Sequence, residues 1–188
     1  MLALTNGVLS SEQSFAAQNR VLIAFFSRAD ENYAVGTITI GNTRKVAEVL
    51  AGQTGGTLFE IKPKKAYPAR YRECTDLAKK ELEANVRPDI EPFSLAIADF
   101  DEVYLGYPIW WSDMPMPVYT FLDQVPFKGK IVHPFCTHEG SGLSGTEKKI
   151  ATYTGATVTK GFELRGKTAQ TDPGATEKAV QKWLASLS

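Results

Sequence analysis

Val21-Leu-Ile-Ala-Phe-Phe26 is an unbroken run of six apolar residues in a chain of 188. A strand with one face in water alternates apolar and polar residues, whereas a strand without a polar position must be covered on both faces. Parallel sheets sandwiched between helices supply that setting, so the run predicts the central strand of an α/β fold. Working outward, Thr43 to Gln53 places Val46, Ala47, Val49 and Leu50 at helical spacing, and Gly55-Gly56 ends the pattern. Thr57-Leu-Phe-Glu-Ile61 alternates as a second strand and is closed by Pro63.

The alternation of strands and helices continues along the chain. Tyr71, Cys74, Ala78 and Leu82 recur at steps of three and four, which predicts an amphipathic helix within Tyr67 to Asn85. Glu102-Val-Tyr-Leu-Gly-Tyr107 reads as a third strand running into Pro108, with a helix starting near Pro117. Lys130-Ile-Val-His-Pro-Phe-Cys136 is a fourth strand, and Pro134, which removes one ladder donor, is expected to mark its exit from the sheet. Ser144 and Glu147 have capping-box spacing for a short helix, and Ala156 to Leu164 supplies a fifth strand. Asp172-Pro173 opens a last helix carrying Val180, Trp183, Leu184 and Leu187 on one face. The expectation is one α/β domain over 21–188, with helices on both faces of a parallel sheet, preceded by a 1–20 tail that is disordered or the remnant of an export leader.

Composition narrows the partners. Hydrophobic residues at 43% and charged residues at 22% describe a soluble globular chain. Twenty-one basic residues balance twenty-one acidic ones, so no long-range field draws the chain to nucleic acid or anionic lipid. No stretch approaches the roughly 18 apolar residues of a membrane span. Cys74 and Cys136 form neither a metal-ligand spacing nor a disulfide framework, which suits a reducing, cytoplasmic setting, or an exported one if residues 1–20 are a leader remnant. Small neutral or mixed-charge molecules are the expected partners.

In open α/β sheets ligands bind beyond the carboxyl ends of the strands, and three loops there have compositions that packing alone explains poorly. The first begins Ser27-Arg28 and ends Gly41-Asn42-Thr43 at a helix start, where backbone N–H groups and Ser27, Asn42 and Thr43 suit a phosphate; such residues also cap helices without any ligand. The second, Tyr107-Pro-Ile-Trp-Trp-Ser-Asp-Met-Pro-Met-Pro117, holds adjacent tryptophans that point opposite ways in extended chain. Either one of them faces a flat ligand or both pack against helices. The third, Thr137-His-Glu-Gly-Ser-Gly142, has glycines that let backbone approach a ring edge, or that serve an ordinary turn.

Taken in register, these three segments resemble the flavodoxins, and more closely the bacterial flavodoxin-like proteins with a Pro-Ile-Trp-Trp loop, from about Val21 to Gly166. The resemblance implies a three-layer, doubly wound sheet of five parallel strands in order 2-1-3-4-5 and a non-covalent FMN on which the chemistry takes place. It places Ser27, Arg28, Gly41, Asn42 and Thr43 around the phosphate. Pro108, Ile109, Trp110 and Trp111 then flank the ring, and Thr137, His138, Glu139, Gly140, Ser141 and Gly142 line its other edge.

Two departures shape the expected activity. Twelve residues, Ala29 to Ile40, interrupt the phosphate loop; they either bulge over the site, with Tyr33 shielding the cofactor or standing exposed, or fill it and leave a cofactor-free binding or regulatory module. The third loop lacks a stacking aromatic, with His138 its only cyclic side chain, and the chain lacks the acidity of a low-potential carrier. Both features shift the reading from an electron-carrying flavodoxin toward an NAD(P)H:quinone reductase-like oxidoreductase, monomeric or homodimeric. Elsewhere, His133 reads as a core histidine and Cys136 as packing. Lys62, Lys64, Lys65, Arg70 and Arg72 read as a solvated face able to meet an acidic partner or a nicotinamide phosphate.

Overall fold

The apolar run becomes β1 (Val21–Phe25), and its side chains divide by parity. Leu22, Ala24 and the following Phe26 join one buried cluster with Val103, Leu105 and Phe121. Ile23 and Phe25 join another with Val46, Leu50 and Trp183. Successive residues of a strand face opposite sides of a sheet, so a strand with no polar position requires a core on each side. The computed structural model, which describes residues 20–187, contains both cores.

The strands β4 (Thr57–Glu60), β1, β5 (Glu102–Pro108) and β6 (Ile131–His138) lie side by side in that order, all parallel. The fifth position is taken by two short pieces, β7 (Thr157–Val158) and β8 (Phe162–Arg165), each paired with β6. The order is therefore 2-1-3-4-5, as the resemblance implies, with the last strand broken where one continuous strand was expected. Pro134 supplies the reason. The Val132 carbonyl accepts from Thr159 N–H at 3.0 Å, so Pro134, two residues on, also turns its backbone toward the fifth strand. It has no N–H to offer there. Pro134 does not end its own strand, which continues to His138; it interrupts its neighbour.

Helices α1 (Asn42–Thr54) and α6 (Pro173–Ala185) cover one face, with the short α5 (Gly166–Thr171) beside them; α3 (Met116–Gln124) and α4 (Thr146–Thr154) cover the other. α1 stops where expected, at Gly55, whose φ of 69° lets its N–H reach back to the Ala51 carbonyl. α2 (Tyr71–Glu83) starts later than Tyr67, because Arg70 is still extended with ψ of 132°. The expected capping box of α4 does not form. Ser144 donates to the Ser141 carbonyl, and the Glu147 carboxylate accepts from Gly161 N–H at 2.7 Å, tying α4 to the fifth strand instead. Asp172 does cap α6, accepting from Ala175 N–H at 2.9 Å.

The Ala29–Ile40 segment, expected to be a loop, holds a small antiparallel hairpin of β2 (Asp30–Asn32) and β3 (Gly36–Ile38). It leans on the start of α2. The Arg28 guanidinium donates to the carbonyls of Glu31, Pro68 and Ala69 at 2.7, 2.6 and 2.7 Å, and Tyr71 N–H donates to the Glu31 carboxylate at 2.9 Å. Of the proposed tail only Arg20 is described, and its carbonyl accepts from Asp101 N–H at 2.9 Å; the rest of that assignment lies outside the described residues. Among the described residues no helix is long and apolar enough to cross a membrane.

Candidate functional site

The end of β1 and the start of α1 form a cradle of donors. Ser27 Oγ accepts from Arg44 N–H at 3.0 Å, which leaves the hydroxyl proton available outward. Gly41 makes this approach possible: a Cβ at that position would lie 2.2 Å from Ser27 Oγ and 2.6 Å from the Arg28 carbonyl oxygen. The backbone N–H groups of Asn42 and Thr43 open a helix of 13 residues with no acidic side chain in its first turn. Helix geometry gives these N–H groups no partner of their own, and the helix dipole adds positive potential there. An anion suits such a position.

Two of the expected phosphate residues have other duties. The Thr43 hydroxyl is buried and bonded to the Thr137 hydroxyl at 2.8 Å, a clasp between the first and third loops. Arg28 points its fork at three carbonyls and serves as the strut of the hairpin. Asn42 keeps an open function: its side-chain oxygen is buried with no hydrogen-bond partner among the described residues. An unsatisfied buried acceptor costs about 1–3 kcal/mol, which a ligand donor would recover.

The tryptophan loop is a turn, not extended chain. Trp110 and Asp113 exchange backbone hydrogen bonds at 2.9 and 3.0 Å, and between them Trp111 and Ser112 have φ of 52° and 61°. Two successive non-glycine residues in the left-handed region store strain of about 1–3 kcal/mol each. Asp113 holds the turn. Its carboxylate accepts from Met114 N–H, the Tyr119 hydroxyl and the Lys149 ammonium at 2.8, 2.9 and 2.6 Å. The indoles are separated by this turn. Trp110 packs edge-on against Phe26 and Tyr67 at 5.4 and 5.0 Å, while Trp111 is 50% exposed, donates to the Thr75 carbonyl at 2.9 Å and lies under Lys79.

The third loop folds around its histidine. Gly140 and Gly142 both donate their N–H to His138 Nδ1, at 2.8 and 3.2 Å. A nitrogen that accepts twice carries no proton, so the proton of the neutral ring sits on Nε2. These two glycine donors are thus engaged within the loop and not presented to a ring edge. Glu139 faces the first loop, its carboxylate accepting from Lys167 N–H at 2.8 Å. Gly166 makes room for this junction, since a Cβ there would lie 2.2 Å from Asn42 Nδ2 and 2.9 Å from Glu139 Oε1.

The three loops meet. A cleft of about 130 Å³ is bounded by Asn42 from the first, Pro108, Ile109 and Trp110 from the second, and Thr137, His138 and Glu139 from the third. Ser27, Gly41 and Thr43 stand behind Asn42 in the adjoining cradle, whereas Trp111, Gly140, Ser141 and Gly142 do not line the cleft. Three further residues complete the mouth: Asn32 and Tyr33 of the hairpin and Tyr71 of α2, the two tyrosine rings with centroids 6.0 Å apart. No local pattern distinguishes Tyr71, which looks like any helix-face residue until the hairpin brings Tyr33 to it. A larger open depression of about 660 Å³ between α1 and α6 contains none of the expected site residues.

Comparison with known proteins agrees with this architecture. The flavodoxin family model matches residues 20–187. The chain belongs to the flavodoxin family. Two solved structures of this kind, each provisionally named a flavoprotein, come from Bacteroides eggerthii and Bacteroides uniformis. They are 30% and 31% identical to the chain, cover 88% and 89% of it and 96% and 98% of their own length, and superpose with a TM-score of 0.70. A flavoprotein from Lactobacillus acidophilus in complex with FMN shares the fold at 21% identity, covering 88% of the chain and 99% of its own, with a TM-score of 0.64. No protein of curated function matches the chain.

The remaining sequence candidates are accounted for by the fold. His133 is buried, bonded to Thr159 Oγ1 at 2.9 Å and Glu102 Oε2 at 3.2 Å, and stacked on Tyr104. Burial lowers its pKa, against the opposing pull of Glu102. Cys136 is wholly buried and its thiol is pushed strongly up by that burial, so it packs and stays protonated. Lys62, Lys64 and Arg70 pair at the surface with Glu60, Asp89 and Glu73.

Proposed function

We propose that this flavodoxin-family protein holds one FMN without a covalent bond and works as an oxidoreductase, taking electrons from NAD(P)H and delivering them to a quinone or a similar small oxidant. The convergence of Asn42, Trp110 and His138 on one cleft beside a helix N-terminus carries this reading. The residues fit the cofactor. Ser27 and the N–H groups of Asn42 and Thr43 suit its phosphate, and the unpartnered Asn42 oxygen suits a ribityl hydroxyl, which is a donor. Ile109 and Trp110 offer apolar surface to the ring system, and His138 Nε2–H offers a donor to its polar end.

When bound, FMN supplies the hydride and electron chemistry, and the protein supplies binding, orientation and shielding. The enclosed cleft is smaller than the roughly 300–1,000 Å³ usual for ligand pockets, so the cofactor would lie partly open to small reactants. That openness, together with a net charge of zero, supports a reductase over a strongly reducing carrier. The hairpin brings Asn32 and Tyr33 to the mouth of the cleft and leaves about 130 Å³ of it open, which supports a cofactor-binding protein over a cofactor-free module.

An absorbance spectrum of the purified protein tests the reading first. Flavin bands are expected, with FMN and not FAD released on denaturation, and steady NAD(P)H oxidation is expected in the presence of a quinone. A colourless protein that leaves FMN fluorescence unquenched on titration would refute the cofactor, and FMN binding without turnover would refute the reductase.

A further inference from the structure

A second cavity of about 210 Å³ adjoins the cleft. The two share Asn32, Tyr71, Ile109 and Trp110, but the second extends away from the cofactor cradle to Cys74 and Ala78 of α2, to Trp111 and to Arg28. Nothing in the FMN fit uses Cys74, Ala78 or Trp111. The strained turn at Trp111 and Ser112 sets one wall of this cavity, with the Trp111 indole pinned to the Thr75 carbonyl. Strain of that kind persists where surrounding structure over-determines it, often at a ligand site.

The chemistry of the walls selects an occupant. Tyr71, Trp110 and Trp111 present aromatic surface, which favours a flat molecule. Arg28 Nε is buried with no hydrogen-bond partner among the described residues, although the two terminal nitrogens of the same guanidinium are taken by carbonyls. Arg28 enters no ion pair among the described residues, and its guanidinium lies beside the Cys74 thiol, on which the more distant Asp30 and Glu81 also act. Such a site wants an electron-rich acceptor oxygen on a planar frame. A quinone carries two carbonyl acceptors and no donor, and the volume limits it to about one or two rings.

We propose that this cavity is the binding site of the oxidant, a one- or two-ring quinone held between Trp111 and Tyr71 with one carbonyl toward Arg28 Nε–H. Its placement as an oxidant site rests on the FMN reading above; its existence as a binding site does not.

The test uses duroquinone, whose ring is fully substituted and does not add to thiols. N-ethylmaleimide labelling of Cys74, which lines the cavity but is only 3% exposed and therefore reacts slowly, is followed by mass spectrometry, with Cys136, 0% exposed and outside the cavity, as internal reference. Duroquinone at ten times its dissociation constant should slow Cys74 labelling about tenfold, with or without FMN, and should quench tryptophan emission saturably. Ala78→Phe fills the cavity and should abolish protection and quenching while FMN uptake stays unchanged. Should Ala78→Phe fold poorly, Ala78→Leu adds less bulk and should weaken both effects by about tenfold. Equal Cys74 labelling with and without duroquinone, or protection that survives both variants, would overturn the proposal. Protection without FMN uptake would reject the oxidoreductase reading and keep the site; FMN uptake without protection would reject the site alone.

Discussion

Gly41→Ala isolates the proposed phosphate cradle from the rest of the fold. Gly41 has ordinary extended geometry, φ −65° and ψ 152°, so the added methyl group costs nothing in backbone conformation. The cost is contact: the new Cβ lies 2.6 Å from the Arg28 carbonyl oxygen, 0.8 Å inside the 3.4 Å at which ordinary contact begins. Ser27 Oγ, at 2.2 Å, can swing away, but only by giving up its bond from Arg44 N–H. The Arg28 carbonyl belongs to backbone three residues past β1, held by the guanidinium bonds of its own side chain, and must move together with the loop. Overpacking of this kind costs about 1–3 kcal/mol, a fall in Tm of roughly 2–12 °C for a chain of this size. Displacement of the cradle should also remove at least one charge-assisted bond to phosphate, about 1.5–3 kcal/mol, or roughly 10- to 150-fold in FMN affinity. Fluorescence-quenching titration reads the affinity and thermal unfolding of the apoprotein reads the stability. Gly52→Ala on the same helix is the control, since nothing lies within 4 Å of its Cβ; it should stabilise by about 0.5–1 kcal/mol and leave FMN binding alone. A folded Gly41→Ala protein that binds FMN within about twofold of wild type would show that the phosphate sits elsewhere.

Trp110→Ala should lower stability by roughly 2–4 kcal/mol, because the indole fills space against Phe26 and Tyr67, and should weaken FMN binding strongly. Trp111→Ala should cost under about 1 kcal/mol and change FMN affinity little, so equal losses in the two titrations would contradict the assignment of Trp110 to the ring cleft. The His133 contribution depends on pH with a definite sign. Its folded pKa lies below the ordinary 6.5, so the unfolded chain binds more protons below that value, and the stabilisation present above pH 6.5 is lost as pH falls through the folded pKa. Tm should therefore decline on acidification below pH 6.5 in the wild type and less steeply in His133→Gln. Parallel declines would place the acid sensitivity in other groups.

Much of the frame is legible in the chain because it follows from local rules. A strand without polar positions needs two covered faces, and Val21 to Phe26 delivers them by parity. Helices announce themselves by spacing, and their ends by Gly55 and by Asp172-Pro173, which act within a few residues. The meeting of the three loops could be anticipated from the position of each after its strand, because a parallel sheet carries all those ends to one edge.

Long-range contacts decided the rest. Pro134 looked like the end of its own strand, yet its missing donor faces the neighbouring one, and only the sheet order reveals which strand must break. The Ser144 and Glu147 pair matched a cap by spacing, but Glu147 finds Gly161 across a gap in sequence that no local pattern reports. Arg28 and Thr43 carried plausible phosphate donors; in the folded chain Arg28 holds the carbonyls of Pro68 and Ala69, and Thr43 holds Thr137. Residue type and spacing determine what a side chain is able to do and which way its segment runs. Whether a given donor meets a ligand or another part of the same chain depends on which distant segment arrives beside it, and that is a property of the tertiary packing.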